Sequence, residues 1–98
     1  MLFAVLFIDK PDHGALRSEY LQAHIDWIEQ NKTAVLVAGS LRTELQDTPK
    51  GGLWIVKAVS KASVMQIMST DPFYTCGLRQ SIEVLHWSKA LEHHQALV

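Results

Sequence analysis

The residue best placed to do chemistry in this chain is His24. Imidazole is the side chain that changes charge near neutral pH, so a histidine in a shielded position is a natural general acid or base. Leu16, Tyr20 and Ile28 lie in the same row as His24 at steps of four. Leu21 and Trp27 lie three residues to either side. Side chains at those spacings share one face of a helix, here read from about His13 to Asn31. His24 is therefore either a packed core residue or the floor of a site. Asp71 precedes Pro72, and an acidic residue there is a natural N-cap for a new turn, with proline at the first position. Cys76 has no evident base partner and reads as a small buried hydrophobe. His93 and His94 are adjacent and cannot share one ion on a regular element. His13 is remote, so no ligand spacing suggests a metal site. No phosphate loop, dinucleotide fingerprint or Gly-x-Ser-x-Gly elbow is present, and no cofactor is expected.

These residues must be held by a small set of elements. Leu2 to Ile8 is apolar at both parities (Phe3, Val5, Phe7 against Leu2, Ala4, Leu6, Ile8), the pattern of a strand buried on both faces. Asp9 to Asp12 is a polar turn, with Asp12 expected to cap the first helix. Thr33 to Leu41 is a second strand and Arg42 to Gly52 a polar loop. Leu53 to Val59 is a third strand, with Trp54, Val56 and Ala58 facing opposite to Ile55, Lys57 and Val59. Ser60 opens a second helix as N-cap, running to about Ser69. Asp71-Pro72 stops it, because the residue before proline is pushed out of helical dihedrals. Ser81 to Trp87 is the fourth strand, on which His86 and Trp87 point to opposite faces. Ser88 to Val98 is a tail. Ser40 ends an apolar strand and can offer its hydroxyl to a pocket. Backbone groups near Gly39 can position a ligand, and Trp54, Phe73 and Tyr74 can wall an apolar pocket.

Composition limits the function classes. Ninety-eight residues suit one domain spanning 1–98, and 48% hydrophobic against 19% charged residues suits a globular one. The net charge of −1 is spread, with six lysines and three arginines among the acids. No basic stripe supports nucleic-acid binding or an anionic membrane surface. A single cysteine excludes an intramolecular disulfide and suits a reducing compartment, so a cytoplasmic protein is expected. The apolar run Met1 to Ile8 lacks a basic n-region and a cleavage site, and it is far shorter than the ~20 residues of a membrane span.

The order β-α-β-β-α-β is the split βαβ pattern. It predicts an α+β, ferredoxin-like domain with a four-stranded antiparallel sheet and two helices on one face. The other face then carries apolar residues with nothing in the chain to cover them. A patch of that size exceeds what monomers tolerate, so a homodimer with the two sheets packed face to face is expected.

The opening strand, His24-Ile25-Asp26-Trp27-Ile28, Ala38-Gly39 near the end of the second strand, and Asp71-Pro72-Phe73 after the second helix together resemble the YciI-like (YCII-related) family over roughly Met1 to Trp87. The resemblance implies a dimeric α+β barrel with a pocket in each subunit. It also implies a catalytic dyad of the helix histidine and the Asp-Pro-Phe aspartate, here His24 and Asp71. Two departures stand out. Ser40 follows Ala38-Gly39 where proline is frequent. Leu21 occupies a position three before the histidine that is often arginine, a group suited to anions; Arg17, one turn further back, can partly replace it.

Two functions compete at this level. One is a small cofactor-free enzyme in which His24 is the acid/base and Asp71 its orienting partner. Ser40, Gly39, Phe73 and Trp54 would line the substrate site. Because the wider superfamily includes lactone isomerases and dehydrochlorinases, the reaction implied is isomerisation or elimination on a small cyclic or aromatic compound. The other is a non-catalytic dimeric module that binds a small ligand or supports a larger partner. A haem-degrading monooxygenase is a weaker third reading drawn from the same superfamily.

Overall fold

The computed structural model describes all residues, Met1–Val98. In chain order the elements are β1 (Leu2–Asp9), α1 (Gly14–Gln30), β2 (Val35–Leu41), β3 (Gly51–Lys57), α2 (Lys61–Met68), α3 (Pro72–Thr75) and β4 (Arg79–His86). The strands form one antiparallel sheet in the order β2-β3-β1-β4. This is the expected ferredoxin-like arrangement, with one added short helix, α3. The tail beyond His86 forms no helix or strand. No helix is long and apolar enough to cross a membrane.

Alternation along β1 decides which face of the sheet is covered. Phe3, Val5 and Phe7 point under the helices and are fully buried. They meet Trp54 and Val56 of β3, Val35 of β2, Trp27 of α1, and Val64 and Met68 of α2 in one core. The opposite parity faces away from the helices. There Leu6 pairs with Leu53, Ala4 with Ile55 and Leu85, and Ile8 with Gly51 and Ser81. Ile8, Leu53 and Leu85 are exposed on that side. The strand read as buried on both faces is thus covered by the chain itself on one face only.

Two irregularities break simple parity. In β2 the register slips between Val35 and Val37: Val35 faces Val56 while Val37 faces Ile55, which leaves Leu36 as the extra residue. In β4 the register slips at Ile8/Asp9, so that Asp9 pairs with Arg79 rather than Gln80. Such bulges re-aim the side chains beyond them. The first carries Ala38 and Ser40 to the helix side, opposite Trp54 and Gly52. The second does the same for Arg79, which becomes buried beside Asp9.

Local caps hold the site elements. Ser60 Oγ accepts the Ser63 amide at the start of α2, as expected. The expectation for Asp12 is corrected. Asp12 has φ 61°, and α1 begins after His13 with no side-chain cap; an aspartate tolerates that left-handed turn better than most residues. At the end of α3, Gly77 takes φ +84°, a conformation only glycine adopts without cost.

Candidate active site

His24 and Trp27 stand one turn apart on α1 and grip two consecutive residues of the α2–α3 turn. Trp27 Nε1 donates to Thr70 Oγ1 at 2.9 Å. His24 Nδ1 meets Asp71 Oδ1 at 2.6 Å. His24 is 7% exposed and Asp71 is 0% exposed. Asp71 is also the N-cap of α3, with Pro72 following. The oxygen that faces His24, Oδ1, accepts the Phe73 amide as well, at 3.2 Å. A single oxygen thus both caps α3 and holds His24, and Oδ2 is left buried with no partner.

This geometry assigns the imidazole. A carboxylate oxygen only accepts, so Nδ1 carries the proton and donates to Asp71. Nε2 then keeps its lone pair. It has no protein hydrogen bond and is not among the buried unpartnered atoms, so it faces the open side. The Phe73 ring stacks on the imidazole at 4.0 Å with 14° between planes, and Trp54 lies at 6.1 Å and 29°. The ring is thus fixed by a hydrogen bond at one nitrogen and by aromatic contact across its face, and it is free to exchange a proton at the other.

His24 opens on a cleft of about 180 Å³ between α1 and the β2–β3 edge. Its lining includes Arg17, Leu21, Ser40, Trp54 and Arg79, with Gly39 and Gly52 at the sheet edge. The volume suits one substituted ring. The expected residues Ser40, Gly39 and Trp54 therefore sit with His24. Phe73 stacks behind its ring rather than lining the cleft. Tyr74 is exposed and lines neither this cleft nor its neighbour. Leu21 and Ile25, at 43% and 48% exposed, form the outer lip rather than buried helix face. His86 lies away from the cleft, its ring against Phe3 at 4.7 Å. Cys76 is part-buried, with its thiol 3.6 Å from the Phe73 carbonyl. No group of three or more His, Cys, Asp or Glu side chains is disposed to hold a metal.

Two residues not picked out from the sequence belong to this site. Asp9, at the end of β1, receives Arg17 Nη2 on Oδ2 at 2.6 Å and Arg79 Nη1 on Oδ1 at 2.8 Å. Arg17 also reaches the Gly51 carbonyl at 3.4 Å. The Arg79 guanidinium lies 4.2 Å from the centre of the Phe7 ring and 5.2 Å from that of Phe73. Burial pushes its pKa below the ordinary range, and the hydrogen bond and charge of Asp9 oppose that shift. A larger cleft of about 580 Å³, lined by Lys10, His13, Lys50 and Pro49 among others, adjoins the first at Arg17 and Gly51.

The model of the YCII-related domain family matches residues 1–88. Among solved structures, 5-chloro-2-hydroxyhydroquinone dehydrochlorinase from Burkholderia phenoliruptrix AC1100, in complex with 2,5-dihydroxybenzoquinone, is similar with a TM-score of 0.81 and 27% identity. That match covers 90% of this chain and 94% of the other. A protein of Bacteriodes thetaiotaomicron VPI-5482, named for the antibiotic biosynthesis monooxygenases, has a TM-score of 0.59 at 17% identity, over 99% and 95% of the two chains; at that identity the likeness is one of fold. No curated protein sequence matches the chain.

Proposed function

Because this chain belongs to the YCII-related domain family, we propose that it is a small cofactor-free enzyme. Its His24–Asp71 pair would move a proton on a small hydroxylated ring, in an isomerisation or an elimination. The observation that carries this reading is the 2.6 Å contact that fixes His24 Nδ1 on a fully buried carboxylate and leaves Nε2 to the cleft. Nε2 takes a proton from the substrate. Asp71 holds the ring in the tautomer that can do so and stabilises the imidazolium that forms. In an isomerisation the proton returns at another position. In an elimination it leaves with a halide anion. Neither outcome needs an oxidant or a reductant. The similarity to a dehydrochlorinase whose bound ligand is a dihydroxybenzoquinone supports an aromatic or quinonoid substrate. Ser40 positions a ring oxygen, and Trp54 provides an apolar wall.

The enzyme acts as a homodimer joined through the open sheet face, and its one unpaired cysteine suits the cytoplasm. Incubation with a panel of halogenated di- and trihydroxybenzenes, read by halide release and ring absorbance, tests the function. Turnover in the wild type and its loss in a folded His24→Gln variant is the expected result. Unchanged turnover in that variant refutes the assignment. A wild type that binds members of the panel without converting any would favour the non-catalytic ligand-binding reading.

A further inference from the structure

We infer that Arg79 is a specificity-determining residue that receives an anionic ring oxygen, so that the cleft takes its substrate as a phenolate or enolate rather than as a neutral ring. This rests on the proposed acid/base reading and names the class of substrate that His24 would meet.

Donors outnumber acceptors around Asp9. Asp9 is one carboxylate held between two guanidiniums, and Arg17 already binds it at 2.6 Å. Arg79 is 9% exposed, yet only its Nη1 is used. Its Nε is buried with no partner. Its Nη2 has no hydrogen bond and is not among the fully buried atoms, so it reaches the cleft that Arg79 lines with His24. A buried donor left unpartnered is costly, and a guanidinium N–H that reaches a cleft is suited to an oxygen anion. A purely structural ion pair does not need a second arginine with its Nη2 turned to a cavity. The surrounding parts hold the guanidinium in place. The β4 bulge turns Arg79 inward, and the Phe7 ring supports the guanidinium plane.

Titration calorimetry at pH 7.5 with 2,5-dihydroxybenzoquinone tests this. The hydroxyls of that probe are vinylogous acids and are ionised at neutral pH. Hydroquinone under nitrogen, neutral at that pH, is the control. The wild type is expected to bind the anion at least tenfold more tightly than the neutral ring. Arg79→Met is expected to erase that preference, and Arg79→Lys to keep part of it. Equal affinity of the wild type for both rings overturns the inference and requires no variant to fold. So does an undiminished preference in a folded Arg79→Met. His24→Gln is expected to keep anion binding within about threefold while losing turnover, so the acid/base reading and this one fail on different proteins.

Discussion

Asp71 does two jobs with one oxygen, and its consequences can be separated by substitution. Asp71→Ala removes the α3 cap and leaves a buried imidazole donor unpaired. The expected loss is about 3 kcal/mol, in line with breaking a buried pair and losing a cap, read as a lower midpoint in urea. His24→Gln keeps a polar side chain in a similar volume and should cost far less stability. Its turnover should fall by at least ~10²-fold, the usual share of a general acid/base. At this scale His24 was legible from helical spacing, and its partner came from the family pattern. Asp9 and Arg79 were not legible, because neither carries a local motif. Their meeting depends on strands 70 residues apart in sequence and on a bulge that sequence parity does not announce.

At the scale of elements, the two bulges account for what periodicity missed. On an unbroken β2, Ser40 would share a face with Leu36; the extra residue at Leu36 turns it to the helix side. On an unbroken β4, Gln80 rather than Arg79 would face Asp9. Strand and helix order followed from the apolar runs and turn residues, with ends shifted by a few residues. The start of β3 moved back to Gly51 because two glycines without apolar side chains still pair with β1. Gly51 is required there. A Cβ would overlap the Phe7 carbonyl oxygen, in rigid backbone. Gly51→Ala should therefore destabilise the protein by about 2–3 kcal/mol, as overpacked sites do. It should also disturb the strand end where Arg17 rests. Thermal unfolding and turnover together read both effects.

At the scale of the whole molecule, the sheet has one covered face and one open face carrying Leu6, Ile8, Leu53, Ile55 and Leu85. This asymmetry was legible in the sequence as apolar residues at both parities of β1, because element count alone shows that two helices cover a single face. A homodimer packed through this face would remove that surface from water. Sedimentation of the wild type should give about 22 kDa, twice the 11.0 kDa chain mass, and Leu53→Glu should give the single-chain mass. A monomeric wild type at micromolar concentration contradicts this assembly.

Asp71, by holding the proton on His24 Nδ1, leaves an unprotonated Nε2 facing the cleft. Nitrogen-15 NMR of imidazole-labelled protein reads that tautomer directly. The neutral ring is predicted to carry its proton on Nδ1, in a strong hydrogen bond, with Nε2 showing the shift of an unprotonated nitrogen. A His24 with its proton on Nε2, or one exchanging between both nitrogens as in free solution, would contradict it.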